Sequence, residues 1–558
     1  MNLSNIIQQL QQHFSWQNIQ IKPLGEVNSY FNQTFKVLAD GHDYALQCVP
    51  TQSAVFAKNA HQQLPQVLAA LHLPQRKQWY PHRYLEMIAT KKGDYYLASQ
   101  VNDQEVALRL FKWIGSTAIA KVTENIAFAA GEILADFHLA VQDVKGLNDL
   151  IENAIEPLPH FHDSAWYLDH WQQALTKNQW VDNNLDLSEH LATIEQGIEL
   201  VKQFDVFRQQ QLQQNPRIMH GDPKLANILF LEEKAIALID FDTIMTGLWH
   251  YDVADALRSL CNTQPENGDV NQVAFDLNLF SAFMRGYAPA LLAWTDQEKR
   301  MLSSAIALLP LELGIRFLFG CHQNHPLHLE AQPQAAAHKA LIQLRLFKDI
   351  KNKQQQIEDI LQQVMPQTLI THPQELQQPP VTIQTVIRQN AQQLEVFYRV
   401  DSQQRLDDSL AEVPIVNTIE NQAKGLWQHN CLEVFIANKN QSAYLEFNGA
   451  STQQSDLFYF NHERVNGQGI KTSEHVLPSC ATQAQWQWFY QQTSNNQAMA
   501  KFSLDLTSVA EVIDTTYPIE YSVTAVVEDR KGQHYYLALK HCRSEPDFHA
   551  RESFQLLA

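Results

Sequence analysis

Asp222, Asn227 and Asp240 are the residues whose types and spacing could do chemistry together. They stand in Ile218-Met-His-Gly-Asp-Pro-Lys-Leu-Ala-Asn227, and then in Ile239-Asp-Phe-Asp-Thr243. A carboxylate held against a hydroxyl can take its proton. An amide carbonyl and a second carboxylate are hard oxygen donors of the kind magnesium prefers. Residues 228–231 and 235–239 are apolar, strand-like runs with Glu232-Glu233-Lys234 as a polar turn between them. A hairpin over that stretch returns Asp240 to the side of Asn227. Asp242 either joins Asp240 at a metal or holds the loop. Lys224 is a candidate for contact with a transferring anionic group, with a solvated lysine as an even alternative. His220 is expected to orient the loop by hydrogen bonding rather than to act as the base.

The interval from Asp222 to Asn227 is also the interval of the phosphotransferase catalytic loop, H-x-D-x-x-x-x-N. Residues 218–243 resemble the aminoglycoside phosphotransferase and choline kinase superfamily of small-molecule kinases. Residues 239–247, 252–258, 44–56, 155–163 and 311–318 look more like one branch, the N-acetylhexosamine 1-kinases. The resemblance implies a bilobal protein-kinase-like fold, ATP and magnesium as cofactors, and a small-molecule acceptor, with a sugar or amino sugar expected. Asp222 would then be the catalytic base, with Lys224 beside it, and Asn227, Asp240 and Asp242 would form the metal set. Arg316 becomes a candidate substrate contact, against the alternative of a helix arginine snorkelling from the core. Asn28 is a weaker one, and Gly25 lies in the turn expected over the phosphates.

That turn, residues 25–29, carries one glycine and no G-x-G-x-x-G pattern. The third strand should carry a lysine that meets phosphate and pairs with a helix glutamate. This chain has Tyr44-Ala-Leu-Gln47 there, and the helix that follows lacks a glutamate. Gln47 remains a phosphate-binding candidate as a neutral donor.

The elements that must position these residues follow from periodicity. Strands are predicted at 19–24, 30–38, 44–49, 95–99 and 106–113, with a helix over 54–71, giving a nucleotide lobe of residues 1–115. Ile6, Ile7, Leu10 and Phe14 mark an N-terminal helix with one buried face. A catalytic and substrate lobe is predicted for 116–365, beginning with a helix over 127–141 in which His138 is a packed residue. His160 and His162 lie in a proline-punctuated loop, read as structural because no third spaced ligand accompanies them. Asp252, Asp255 and Arg258 are spaced by threes on one helix face and are expected to support the catalytic loop. The apolar stretches near 273–294 and 303–320 carry Asp276, Arg285, Glu312 and Arg316, so they read as core helices rather than membrane spans.

At 558 residues, more than one domain is expected. The texture changes at 366–380, read as a linker, and 381–558 is a series of short β-type runs, read as an all-β antiparallel sandwich. The fold class predicted for the whole is therefore α+β, a kinase-like unit followed by that sandwich. Residues 426–436, 443–448 and 546–549 resemble DOMON-like domains related to family 9 carbohydrate-binding modules, which makes carbohydrate a candidate ligand of this region. Trp427 and Tyr459 are candidates for stacking on it, although core packing is the commoner use of aromatics. Glu433, Glu446 and Asp456 are expected to face outward or to be functional.

The net charge of −19 argues against nonspecific binding to nucleic acid or an anionic membrane. Six scattered cysteines and an N-terminus without a basic, apolar leader suit a cytoplasmic protein. The leading expectation is an ATP- and magnesium-dependent kinase of a sugar or amino sugar, with the anomeric hydroxyl as the expected position. A kinase of an amino alcohol and a non-catalytic nucleotide- or sugar-binding regulator are the alternatives.

Overall fold

The structure, a computed structural model, describes residues 3–24, 33–51, 58–71, 82, 84–101, 104–142, 159–177, 185–322, 329–330, 332–390, 392–413, 425–461 and 484–557. Gly25 and Asn28, with the turn they belong to, lie outside the described residues. The chain forms two compact units, one of residues 1–287 and 294–361, the other of 288–293 and 362–558.

The first unit opens with α1 (Leu3–Phe14), whose Ile6 and Leu10 are buried as the spacing predicts. An antiparallel sheet follows, built from β1 (Ile19–Pro23), β2 (Gln33–Ala39), β3 (His42–Pro50), β4 (Leu97–Val101) and β5 (Gln104–Lys112). Its strand order is β1-β2-β3-β5-β4, which sets β5 directly beside β3. Asp40-Gly41 makes the tight β2–β3 turn, both residues at positive φ. Alternation along β2 and β3 sends Phe35, Val37, Leu46 and Cys48 into a core that α1 closes with Leu10. The helix α2 (Lys58–Leu71) lies between β3 and β4 in sequence and contains no glutamate.

The rest of this unit is mostly helical. The helices that frame the site are α3 (Glu124–Gln142), α4 (Ser164–Lys177), α5 (Ser188–Gln214), α6 (Trp249–Leu260), α7 (Leu277–Tyr287), α8 (Asp296–Leu318) and α9 (Pro333–Asn352). α3 and α7 pack so closely that a Cβ on Gly131 would lie 2.0 Å from the Phe283 carbonyl oxygen. The helix α8 is long and apolar enough to cross a membrane, and most of that stretch is buried inside the unit. Two small antiparallel ladders hold the segment that carries Asp222, Asn227 and Asp240. The first joins β6 (Arg217–Met219) to β9 (Met245–Gly247); the second joins β7 (Ile228–Leu231) to β8 (Lys234–Leu238).

In the second unit, residues 366–380 are not plain linker. They include β10 (Gln367–Thr368) and β11 (Ile370–Thr371), which pair respectively with β12 (Val381–Gln389) and β20 (His534–Ala538). The remaining strands are β13 (Gln393–Ser402), β14 (Cys431–Asn438), β15 (Tyr444–Gly449), β16 (Ser455–Phe460), β17 (Trp486–Ser494), β18 (Gln497–Asp505), β19 (Ile519–Glu528) and β21 (Gln555–Leu556). They form two antiparallel sheets, β10-β12-β13-β18-β17 and β11-β20-β19-β14-β15-β16, with β21 added to β19. One apolar core is shared by both, with Val396, Tyr398 and Phe502 from the first and Val434, Phe447 and Val523 from the second. The segment Ala288–Ala293 contributes Ala288 and Leu292 to a separate cluster with Val386 and Phe397.

The outward-facing alternative for three acids of this unit needs correction. Glu433, Glu446 and Asp456 do not face solvent; they are 2%, 6% and 9% exposed. The register explains why sequence pattern misled. Glu433 lies opposite both Asn448 and Thr524, so it belongs to the face turned away from the shared core, and that face is itself covered. Tyr459 packs partly buried against the core, whereas Trp427 is 38% exposed and meets Phe458 edge to face.

Glu433 accepts a hydrogen bond from Thr524 Oγ1 at 2.7 Å. Burial pushes its pKa up to about 8, and the neighbouring Glu446 adds to the shift. A carboxyl with a raised folded-state pKa favours folding at low pH, and that contribution is lost as pH rises from about 4.5 to about 8. Glu433→Gln should therefore flatten the pH dependence of the second unit's stability. At pH 8 to 9 it should be more stable than the unsubstituted protein by on the order of 1–2 kcal/mol, read from denaturant melts across that range.

Candidate active site

The segment from His220 to Asp242 is built by backbone pairing. Ile228 pairs with Leu238, and the Ile239 N–H donates to the Asn227 carbonyl at 2.9 Å. The expected hairpin thus brings Asp240 back to Asn227. Its turn is the pair Glu232-Glu233, with Glu232 at φ 57° and Lys234 already in β8.

The loop ahead of the hairpin is held from below by one carboxylate. Asp252 on α6 is fully buried and accepts from the His220 N–H (Oδ2) and the Gly221 N–H (Oδ1), each at 2.7 Å. Its Oδ2 also faces His138 Nε2 at 2.9 Å, and the Tyr287 hydroxyl meets His138 Nδ1 at 2.7 Å. Burial lowers the His138 pKa, which keeps the ring neutral, with Nε2–H donating to Asp252. So His138 is the packed helix residue the sequence implied, with a supporting role. Gly221 has φ +88°, and a Cβ there would stand 2.6 Å from the Thr243 carbonyl oxygen, so glycine is required on both counts.

His220 orients the loop. Its Nδ1 accepts from the Asp222 N–H at 3.3 Å and its Nε2 donates to the Ile239 carbonyl at 3.0 Å, which defines one neutral tautomer. Burial holds its pKa down at about 4, so it stays neutral near pH 7. Asp222 is partly exposed. Its Oδ2 accepts from Lys224 Nζ at 2.6 Å and from Asn227 Nδ2 at 3.2 Å. Desolvation raises the Asp222 pKa while the Lys224 ammonium opposes that rise. Asn227 Nδ2 also donates to the Asp222 carbonyl at 2.7 Å, which fixes the amide so that its oxygen is turned away from Asp222. Asp255 pairs with Arg258 at 2.7 Å on the same helix, and Ser259 Oγ accepts from the Leu225 N–H. The α6 face therefore supports the loop as its spacing suggested.

Asp240 sits at φ 67°, and its Oδ1 is buried with no hydrogen-bond partner among the described residues. Burial, then the charge of Asp242, raises its pKa to about 7. A buried carboxylate oxygen with no donor among the described residues, one position past the Ile239–Asn227 backbone bond, is a donor a divalent ion suits, and the Asn227 amide oxygen would be the second. Among the described residues no group of three or more His, Cys, Asp or Glu gathers around one point, so a magnesium ion here would draw its other ligands from phosphate and water. Asp242 is placed differently. Both its oxygens are taken by Arg109 on β5, NH1 to Oδ1 at 2.5 Å and NH2 to Oδ2 at 2.6 Å. Arg109 Nε donates to Gln47 Oε1 at 2.9 Å. Sequence reasoning missed Arg109; the missing lysine on β3 was its signal.

Arg316 on α8 lies 3.7 Å from Glu312, above the rings of Tyr167 and Phe161. Glu312 also accepts from Ser164 Oγ and faces His162 Nδ1 at 3.3 Å, while His162 Nε2 faces the Gly221 carbonyl at 3.0 Å. Both ring nitrogens meet acceptors, which favours the charged form of His162 and ties α8 to the loop that carries Asp222. Burial works against that charge, but the hydrogen bond and charge of Glu312 outweigh it and raise the His162 pKa.

Residues 25–290 match the model of the Phosphotransferase enzyme family, just under half of the 558 residues, and the match takes in Gln47, Arg109 and everything from His220 to Arg258. Solved structures similar to this chain include a microcompartment-associated aminopropanol kinase. It is 18% identical with a TM-score of 0.42, over 60% of this chain and 95% of that one. A choline kinase from Cryptosporidium parvum Iowa II is 12% identical with a TM-score of 0.42, over 65% and 98%. A spectinomycin phosphotransferase in complex with ADP and spectinomycin is 13% identical with a TM-score of 0.40, over 61% and 97%.

A histidine whose folded-state pKa is raised stabilises the fold below its unfolded value near 6.5, and that contribution is lost as pH rises through the folded value. The stability of the first unit should accordingly fall on going from pH 6 to pH 9. In His162→Gln the fall should be smaller, with the two proteins differing most at the acid end, by about 1–3 kcal/mol in denaturant titrations.

Proposed function

We propose that this protein is an ATP- and magnesium-dependent small-molecule kinase whose acceptor is a hydroxyl of a sugar or amino sugar, with the anomeric hydroxyl as the expected position. The observation that carries the reading is the assembly of Asp222, Asn227 and Asp240 by one hairpin, inside the segment that matches a phosphotransferase family. The acceptor class rests on the resemblance of residues 239–247, 252–258 and 311–318 to N-acetylhexosamine 1-kinases.

In this mechanism the acceptor hydroxyl lies against the exposed edge of Asp222. Phosphoryl transfer needs little covalent help, so positioning and charge neutralisation carry most of the rate. Asp222 aligns the hydroxyl and accepts its proton as the hydroxyl oxygen bonds the γ-phosphorus of ATP and the bond from that phosphorus to the β–γ bridging oxygen breaks, releasing ADP. Lys224, 2.6 Å away, keeps Asp222 ionised beforehand and contributes positive charge beside the transferring group. Asn227 and Asp240 would hold magnesium, which when bound neutralises phosphate charge. His220 and Asp252 maintain the loop and take no proton in the reaction. Arg316, partly exposed near the loop through His162 and Glu312, is a candidate for gripping the acceptor. The second unit is read as a DOMON-like sandwich with carbohydrate as its candidate ligand and Trp427 as a stacking residue. The two units would then serve one class of compound in the cytoplasm.

The test is phosphoryl transfer from ATP and magnesium to a panel of free sugars, amino sugars, choline and ethanolamine. A sugar phosphate formed by the unsubstituted protein, with turnover reduced about 10²–10⁴-fold in Asp222→Asn, is the expected result. Product from the amino alcohols alone would replace the acceptor class. No product from any acceptor, with nucleotide binding retained, would overturn the kinase reading in favour of a nucleotide-binding regulator.

A further inference from the structure

We propose that Arg109 is a positioning residue for the nucleotide phosphates, supplying from β5 the cation that β3 lacks and turning the Gln47 amide so that its NH₂ group is the one offered to phosphate. The proposal rests on the kinase reading above.

The register brings the two side chains together. Gln47 on β3 lies directly opposite Arg109 on β5, so both leave the sheet on the same face. Arg109 has donors and no acceptor, so the Gln47 atom it touches must be the carbonyl oxygen. That contact decides which way the amide is turned. With Oε1 committed, Nε2 is left over, and among the described residues it donates to nothing. A neutral donor in place of the usual lysine is useful only if its orientation is fixed, and Arg109 fixes it.

The guanidinium has a second task. Its side chain is 1% exposed, and a buried charge of that kind persists only with a partner. The partner is Asp242, 133 positions away, gripped through both oxygens. A two-point Arg–carboxylate contact fixes distance and angle together, which a lysine ammonium does not. Asp242 is two residues past Asp240, in the short helical turn Phe241–Thr243. Arg109 therefore ties the five-stranded sheet to the turn that sets Asp240. In protein kinases a lysine on β3 and a glutamate on the following helix form the ion pair that must be in place for transfer. Here the cation has moved one strand over and the acid has moved onto the metal loop. The paired absence of a lysine on β3 and a glutamate on α2 is what this relocation requires.

The experiment compares the affinity of the full-length protein for ATP with magnesium against its affinity for adenosine, by titration calorimetry. Gln47→Glu keeps an acceptor for Arg109, so the Arg109–Asp242 pair is undisturbed, but it removes the NH₂ donor. Arg109→Lys keeps a charge and loses both the fork and the Nε donor. Each should weaken ATP binding at least 10-fold with adenosine affinity unchanged. Adding Gln47→Lys to Arg109→Met should return ATP affinity to within about threefold of the starting protein, because a β3 lysine then restores the cation. Equal weakening for ATP and adenosine in Gln47→Glu and Arg109→Lys would mean general damage to the pocket, and no weakening would mean no phosphate role; either overturns the proposal alone. A folded, unsubstituted protein that fails to bind ATP with magnesium overturns the kinase reading, and the proposal with it.

Discussion

The segment from His220 to Asp242 depends on the carboxylate of Asp252. It is entirely buried, and it would not be tolerated there without donors to satisfy it. It finds three: the backbone N–H groups of His220 and Gly221, and His138 Nε2. Each of these then constrains something else. The His138 ring lies flat against Trp249, and the Trp249 indole N–H donates to the Ile218 carbonyl in β6. Arg217, next in the same strand, also lies over the Trp249 ring and pairs with Glu298 on α8. A single buried charge thus organises a helix, a strand and the loop that carries Asp222. Removing one donor would leave a charge uncompensated in a low-dielectric core, which is why the network is all or nothing.

Above that base the site concentrates negative charge. Asp222, Asp240, Asp242 and Asp255 lie along one loop and helix face. The charges answering them are Lys224, Arg258 and Arg109, each assigned mainly to one acid. Asp240 Oδ1 and Asp255 Oδ2 both lie buried without a donor among the described residues, but Asp255 is paired with Arg258, and burial and the charge of Asp242 raise the Asp240 pKa. Asp222, Asp242 and Asp255 each pair with a basic side chain, which sets Asp240 apart as the carboxylate that a cation would suit.

Most of this was legible in the chain where the relevant contacts are local. The hairpin, the five strands of the first sheet and the order of short strands beyond 381 follow from alternation and turn residues, because each strand's burial is repeated over several positions. The supporting role of Asp252 could be read from its spacing, and that of His220 from its place in the loop motif. Arg109 could not, since its meaning comes from strand register: it is 62 positions from Gln47 and 133 from Asp242, and nothing in a single sequence says that β5 lies beside β3. The outward-facing alternative for Glu433 and Glu446 failed for a different reason. Period-two patterning says which face a residue is on, and a polar residue on the second face is read as solvated. It cannot say that the second face is covered too.

The segment Ala288–Ala293 has a consequence for anyone cutting this chain into pieces. Leu292 packs with Val386 and Phe397, and its backbone carbonyl accepts from Arg399, although these partners lie about a hundred positions further on. The second unit is therefore discontinuous in sequence, and no single scission point yields both parts intact. A fragment ending near residue 361 would carry the hexapeptide without Val386, Phe397 and Arg399, and a fragment starting at 362 would lack Ala288 and Leu292 from that cluster. Co-expression of the two pieces, or grafting the hexapeptide onto the second, is the sounder route to separated material.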